Sequence, residues 1–496
     1  VGSWVVSPQA AAPGATREAY APVTPEVLDR LREIAGAANV FSSPSETLVY
    51  ECDGYTLERV PPGAVVLPGS TEEVSRILAF LYERGIPFIP RGAGTSLSGS
   101  TIAVQGGVVV GLSRMRKIID IDLANRLAVV EAGAVNLWLT HAVERDGYHY
   151  APDPSSQGAC TIGGNVATNA GGPHTLKYGV TLNHILGVEM VLADGTVVNL
   201  GGKVEDPFGY DLAGFVVGSE GTLGVVTKAT VRLTRSPQSV RTLLAVFNSI
   251  DDATRTVSEI IRQGIIPAAV EMMDNLIIQA VEAAYHFGFP TDAAAVLIVE
   301  LDGLEAGIDT LAARVRGICT GQGAVEIRQA ANEAERKLLW SSRKRAFGAV
   351  GRLSPSFVTQ DGVVPRTKLP EILRIIADVG RKYSLRVANV FHAGDGNIHP
   401  LLLFDERNPD EVERVIKASD EILTACIELG GSVTGEHGIG IEKIEHLAKM
   451  YSAEDLAVMT RVREAFDPER RCNPGKLFPS SKGCIEIKRP RPAAPA

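Results

Sequence analysis

The sequence of 496 residues predicts an α+β fold built in two parts. Residues 24–236 mix short strands and helices with three long loops of glycine and other small residues, while from about Ser236-Pro237 onward strands and helices alternate regularly. A third observation fixes a landmark in the second part. Asp395-Gly396 stands between two apolar runs in RVANVFHAGDGNIHPLLLF, the signal of a two-residue β-hairpin.

In chain order, Thr24-Pro25 puts a cap residue and a first-turn proline before VLDRLREIAGAA, a helix start. Residues 64–67 read as a short strand. Ser70 and Glu73 make a capping box, Val74, Ile77, Leu78 and Leu81 repeat at helical spacing, and Gly85 stops the helix. Residues 86–89 form a second strand and complete a β-α-β start. Strands at 108–112 and 127–131 follow, then a hairpin over 185–200 across Asp194-Gly195. In the second part, 242–247, 268–273, 294–301 and 324–329 read as strands, with helices at 253–263, 275–286 and through Leu311 between them. Their order suits a ferredoxin-like antiparallel sheet with helices on one face. Residues 356–364 and the hairpin join that sheet, and the chain after Gly440 is helical. The predicted parts are a loose arm over 1–23, a first domain over 24–236, a second over 237–440, and a helical segment over 441–496.

Composition narrows the function. A net charge of -9 and a pI near 5.6 leave no basic stripe for phosphates, which argues against nucleic acid. No run of eighteen apolar residues exists, so no transmembrane helix is expected. The cysteines at 52, 160, 319, 426, 472 and 484 show no C-x-x-C and no metal-ligand spacing, as in a reduced cytoplasmic protein without its own iron–sulfur cluster. The Ala/Pro/Gly-rich start lacks the regions of a signal peptide, and the Pro/Arg-rich end after Lys488 reads as a second loose arm.

The three small-residue loops are RGAGTSLSG at 91–99, PDPSSQGACTIGGNVATNAGG at 152–172 and GSEGTLGVVT at 218–227. The first follows directly on a strand end, where exposed backbone N–H groups suit a phosphate oxygen. It is not the G-x-G-x-x-G spacing, and alone it fits a plain turn as well. The second is too poor in apolar and charged residues to form core, which points to a loop wrapped round a ligand.

A hairpin centred on Asp395-Gly396 sets His392 opposite His399, about 5 Å apart at Cβ. One such pair is most simply two surface histidines. GGSVTGEHGIG at 430–440 adds Glu436 and His437 in a segment where backbone can approach a ligand closely. His392, His399 and Glu436 then form a candidate metal set with open positions, of a type that suits zinc, with manganese or iron as alternatives.

On these motifs the chain resembles the vanillyl-alcohol-oxidase-type (para-cresol-methylhydroxylase-type, PCMH-type) flavoproteins. Over about residues 24–476 it is most similar to the flavoprotein subunit of glycolate oxidase and to FAD-linked D-lactate and D-2-hydroxyglutarate dehydrogenases. The resemblance implies a PCMH-type FAD-binding domain and a ferredoxin-like antiparallel-sheet cap domain carrying the substrate site. It implies that Arg91, Gly92, Ala93, Gly94, Thr95 and Ser96, with Gly163, Gly164 and Asn165, hold the FAD pyrophosphate. Pro152, Ser155, Asn169, Glu220, Gly221, Gly224 and Val226 would line the rest of the cofactor. Asn473 and Lys476, in the NPGK segment that returns to the FAD domain, are further candidates, although Asn-Pro-Gly is also simply a strong turn. Thr95 stands near the place where some relatives carry a flavin-linked histidine, so non-covalent FAD is expected.

Oxidation of a 2-hydroxy acid requires a cation for the carboxylate and a group that takes the hydroxyl proton. The metal set is expected to acidify the hydroxyl and His437 to accept its proton. Arg343 lies in a charge run with Lys344 and Arg345 that would pass for a solvated helix face, but the family's carboxylate-binding arginine falls here. Arg366 is a second choice, and Asn397 either orients the substrate or closes the turn. FVTQDGVVP lacks the lysine that D-2-hydroxyglutarate dehydrogenases carry before the matching proline, which favours glycolate or D-lactate over a dicarboxylate. Two rival readings are an alcohol or aldonolactone oxidase of the same fold, which needs no metal, and a binding subunit without flavin. With no cluster, haem or NAD motif in the chain, electrons are expected to leave to partners. The resemblance implies an iron–sulfur subunit and a second flavin-type subunit, through which the protein would sit peripherally at a membrane.

Overall fold

The computed structural model describes residues 20–204 and 209–479, so most of the arm expected over 1–23 and the Pro/Arg-rich end lie outside it. The first part holds two sheets. One runs Val40–Phe41, Ala64–Val66, Val108–Gly111, Phe88–Arg91, its last two pairings parallel. The β-α-β start therefore does not pair its own two strands. Val108, Val109 and Val110 are fully buried, and this most apolar strand takes the centre between them. The connecting helix Thr71–Glu83 buries Val74, Ile77, Leu78 and Leu81 at the spacing the sequence showed. Its capping box is only half formed: Ser70 Oγ accepts from Glu73 N at 3.2 Å, but the Glu73 carboxylate takes the N–H of Gly69. Thr24 occupies a cap position in extended conformation without a side-chain capping bond. The second sheet is antiparallel, in the order Ile118–Asp122, Leu127–Glu131, Val225–Arg232, Ile185–Val191, Val197–Gly201.

The 152–172 stretch is not wholly loop, because it contains the helix Ile162–Thr168, capped by Thr161, whose hydroxyl accepts from Gly164 N. Ile162 and Val166 anchor it in the core between this helix and the antiparallel sheet.

In the second part Ala324–Gln329, Ser239–Phe247, Ala295–Gly303 and Ala269–Asp274 lie side by side and antiparallel, which is chain order 4-1-3-2 for these strands. Arg386–His392 extends the sheet. Beyond it the sheet forks, one branch through Asn397–Ile398 to Gly362–Val363 and the other through Pro400–Phe404 to Ser356–Thr359. Helices cover both faces, not one. Leu243, Ala245 and Phe247 share a core with the helices Ile250–Arg262, Glu305–Gly321, Leu369–Lys382 and Pro409–Glu428, whereas Leu244 and Val246 pack with Asn275–Tyr285 and Ala346–Val350. The unbroken apolar run AAVLIVEL reflects this two-sided burial. After the helix Ala453–Phe466 the chain returns to the first part, where Phe88 N donates to Arg471 O and Asn473 N donates to Phe88 O.

The hairpin register also departs from expectation. His392 pairs with Asn397, so the turn spans residues 393–396 and His399 stands diagonally from His392 on the same face. Neighbouring segments pull the turn wide: Gly394 N donates to Val270 O and Val364 N to Gly396 O, while Asp395 Oδ1 accepts from Asn397 N. Gly396 has φ +82°, and a Cβ there would lie 2.1 Å from Val364 O. Gly396→Ala is therefore expected to destabilise by about 2 kcal/mol or more. By contrast, Gly317→Ala, on an exposed helix turn with open space around it, should stabilise by about 0.5–1 kcal/mol. Thermal unfolding of the two variants checks both signs.

Candidate active site

A cavity of about 740 Å³ opens where the loops of the first part face the cap sheet. Its first wall comes from the loop that leaves Phe88–Arg91, the helix Ile162–Thr168, and the turn that enters Val225–Arg232. Arg91, Gly92, Ala93, Gly94, Thr95, Ser96, Ser155, Gly163, Gly164, Asn165, Glu220, Gly221, Gly224 and Val226 all line it. Gly92 must lack a Cβ, which would meet Thr161 Oγ1 at 2.4 Å. Among the described residues the backbone N–H groups of Gly92, Ala93, Gly94 and Thr95 donate to nothing. Four consecutive free donors on a cavity wall form a nest that suits an anionic pyrophosphate. The Gly163 and Gly164 N–H groups are already engaged, with Ala132 O and Thr161 Oγ1.

The opposite wall is backed by a polar row at one end of the cap sheet, of which His392 reaches the cavity. Glu271 on Ala269–Asp274 pairs across to His392, which in turn faces Asn397. His392 Nε2 and His399 Nε2 converge on Glu436 Oε1 at 3.0 and 3.1 Å, with the two rings edge to face at 5.0 Å. The ligating atoms of His392, His399 and Glu436 all lie within 4.8 Å of one another, and Glu436 Oε2 is buried without a partner. His392 Nδ1 is held by Glu271 Oε1 at 2.7 Å, which fixes the ring and leaves Nε2 to face the cluster. A second triad, Asp361, His399 and His437, uses the other side of His399. Asp361 is committed elsewhere, accepting from Thr434 Oγ1 and the N–H groups of Gly435, Glu436 and His437, with Lys443 Nζ at 3.4 Å.

His437 stacks on His399, ring centroids 4.8 Å apart and 7° from parallel, and its Nε2 lies 3.8 Å from Glu436 Oε1. Burial pushes its pKa down to about 4, so the imidazole is neutral at physiological pH and able to accept a proton. Burial also pushes Glu436 up, but the adjacent His392 and His399 reverse this and hold its carboxyl well below the usual range.

Arg343 is fully buried at the end of the helix Glu333–Lys344, not solvated as its charged neighbours suggest. Its Nε donates to Glu271 Oε2 at 2.6 Å, while Nη1 is buried without a partner on a residue that lines the cavity. Burial raises the Glu271 pKa, but the charges of His392 and Arg343 more than offset this and hold it below the usual value.

Residues 62–201 match the family described as FAD binding domain, and residues 236–477 match FAD linked oxidases, C-terminal domain. The chain is 46% identical to glycolate oxidase subunit GlcD of Escherichia coli (strain K12) over 461 residues, 93% of this chain and 92% of that protein. It belongs to the FAD-linked oxidase family. A D-lactate dehydrogenase of Archaeoglobus fulgidus is 33% identical, over 86% of this chain and 95% of that protein. The crystal structure of p-cresol methylhydroxylase superposes with a TM-score of 0.78 over 91% of this chain and 96% of that one, at 19% identity, and bears out the PCMH-type fold.

Six expected site residues do not line the cavity of this FAD-linked oxidase. Asn473 Nδ2 donates to Ser100 O and Glu220 O, and Lys476 Nζ donates to Ile102 O, so both brace the loops from beneath. Pro152 O accepts from Asn136, and Asn169 caps its helix in left-handed conformation. Arg366 Nη1 donates to Gly394 O, and Asn397 is buried against Gly435. Glu220 lines the cavity, but its carboxylate accepts from Ile439 N and Gly440 N, and burial pushes its pKa up to about 7. Glu271, Asp361 and the cavity-lining Phe347 and Phe357 escaped the sequence reading. A lone glutamate inside the apolar strand AVEMMD was the available signal, since a buried carboxylate needs a partner.

Removing Glu271 leaves the Arg343 charge buried and uncompensated. Glu271→Ala is therefore expected to cost about 3–5 kcal/mol. Thermal unfolding checks this, and a variant as stable as the parent would show that Glu271 is not the charge partner.

Proposed function

We propose that this protein oxidises a small 2-hydroxy acid, glycolate or D-lactate, to the 2-oxo acid with FAD as its first electron acceptor. The observation that carries the reading is the meeting, on one cavity wall, of an unpaired arginine nitrogen, a neutral histidine and a two-histidine, one-carboxylate cluster. Arg343 Nη1 anchors the substrate carboxylate, a charge-assisted bond that satisfies a buried donor. His437 takes the hydroxyl proton at Nε2, the atom that faces Glu436. Stacking on His399 holds the His437 ring in place without using a ring nitrogen. Bound FAD supplies the acceptor for the C2 hydrogen and the electron pair. A divalent metal held by His392, His399 and Glu436, with zinc favoured by ligand type and manganese or iron as alternatives, supplies a Lewis acid that lowers the hydroxyl pKa.

The rings of Phe347 and Phe357, 6.4 Å apart on the cavity wall, favour a short aliphatic substituent over a second carboxylate. FAD is bound non-covalently in this reading, since the 91–100 loop contains no histidine, cysteine or tyrosine. The five described cysteines are free and dispersed, which supports a reducing, cytoplasmic setting; in this reading electrons leave to partner proteins of iron–sulfur and flavin type. No helix among the described residues is long and apolar enough to cross a membrane; in this reading the partners carry any association with one.

The test is turnover of glycolate and D-lactate with an artificial dye. Fast dye reduction with slow peroxide release is expected, and chelation should abolish it while the flavin stays bound. Activity in a preparation with far less than one metal per chain would remove the metal from the reaction. Equal rates of dye reduction and peroxide release would remove the partners.

Two variants should fail differently. His437→Ala is expected to lower kcat about 100-fold or more with little change in KM, as the loss of a proton acceptor does. Arg343→Ala should raise KM strongly, because it weakens ground state and transition state together. Wild-type steady-state kinetics in either variant would take that residue out of the site.

A further inference from the structure

Glu300 lies outside the cavity wall, with a side chain only 2% exposed, yet it gathers donors from both halves of the molecule. Its carboxylate accepts from Arg336 Nε and Nη2, both at 2.9 Å, from Trp340 Nε1 at 2.5 Å and from Thr242 Oγ1 at 2.8 Å. His174 Nε2, from the first part, completes the set at 3.2 Å. The other nitrogen of His174 pairs with Asp153 Oδ2 at 2.8 Å, and the His174 ring packs on Trp340 with centroids 5.3 Å apart. Asp153, His174, Glu300 and Arg336 thus form a chain of alternating charge that crosses the seam.

The two ends of this chain lead to the two sides of the cavity. Asp153 directly precedes Pro154 and Ser155, which line the cofactor wall. Arg336 and Trp340 sit on the helix Glu333–Lys344 at positions i and i+4, with Arg343 at i+7 on the same stripe. Trp340, Ser342 and Arg343 are that helix's buried residues, so it has little apolar grip of its own. Polar anchors must set its position: Glu300 near its middle and Glu271 at its end.

We propose that Glu300 is a positioning residue, which ties the loop of the cofactor wall to the helix bearing Arg343 and so sets where that guanidinium stands against substrate. The proposal rests on the reading of Arg343 as the carboxylate clamp. Glu300→Gln keeps the shape of the side chain but loses the charge that holds His174 and Arg336 together.

A double-mutant cycle on the flavin-loaded enzyme tests it. Glu300→Gln is expected to raise KM for the hydroxy acid about tenfold, with kcat changed less than about threefold and flavin content unchanged. In an Arg343→Ala background the same change should add less than about twofold, because the group it positions is gone. Unchanged KM, an equal multiple in both backgrounds, or a KM rise matched by loss of flavin would each overturn the proposal. Should Glu300→Gln fail to fold, Trp340→Phe takes its place in the cycle: it removes one donor and keeps an aromatic ring, and the same outcomes decide. A clamp reading that is wrong shows itself separately, as an Arg343→Ala enzyme with parental KM.

Discussion

One carboxylate, Glu271, holds the two chemical functions of the site in fixed relation. Its oxygens are divided between His392 Nδ1 at 2.7 Å and Arg343 Nε at 2.6 Å, and all three groups are buried. The Arg343 charge could not stay there alone, since desolvation of an unpaired charge outweighs any packing gain. Glu271 supplies its anion and holds the Nδ1 side of His392, whose other nitrogen faces Glu436. Sharing Glu271 also means that the arginine assigned to the substrate carboxylate and a histidine of the candidate metal cluster move only together. The strand pairing of Glu271 with His392 puts the carboxylate beside the ring, so the sheet, not a loop, sets the geometry.

The second constraint joins the halves. Glu220 from the first part reaches across to the Ile439 and Gly440 N–H groups, and Ser98 O accepts from Ile441 N while Ser98 Oγ donates to His437 O. Gly438 and Gly440 have φ of +84° and +55°, and a Cβ on either would strike Glu220 or Ser98, so the segment carrying Glu436 and His437 is pressed against the cofactor wall. Asn473 Nδ2 donates to Glu220 O from behind. Asn473 and Lys476 hold the loops in place through the carbonyls of Ser100, Glu220 and Ile102.

How far the sequence could lead follows from the range of each signal. The small-residue loops and the Asp395-Gly396 turn are local signals, and they led to the cavity. The two histidines were correctly put on one face although the register was wrong, because a four-residue turn in place of a two-residue one shifts the pairing by two and preserves parity. Helices on the second face of the cap sheet were missed because a two-sided apolar strand reads like any apolar run. Arg343 looked solvated for a related reason: Lys344 and Arg345 beside it are exposed, and only the distant Glu271 makes its burial possible. Partners 72 residues apart, as here, leave no mark in local pattern.

The two ways of holding cluster residues have different mechanical consequences. His392 lies in a sheet strand and His399 is flanked by two, and both are stiffened by neighbours on either side. Glu436 and His437 sit on a loop, and what orders that loop is Asp361, whose carboxylate collects three successive N–H groups from residues 435–437. Burial pushes Asp361 up, and His437 and Lys443 more than reverse the effect, so the anion persists at the pH where the loop must be ordered. The backbone that carries Glu436 and His437 is therefore placed against the cluster through the N–H donors of residues 435–437. A site arranged this way keeps its strongest directional bonds off the reacting atoms. His437 Nδ1, Glu436 Oε2 and Arg343 Nη1 are left without protein partners, which concentrates unsatisfied polarity on the cap side of the cavity.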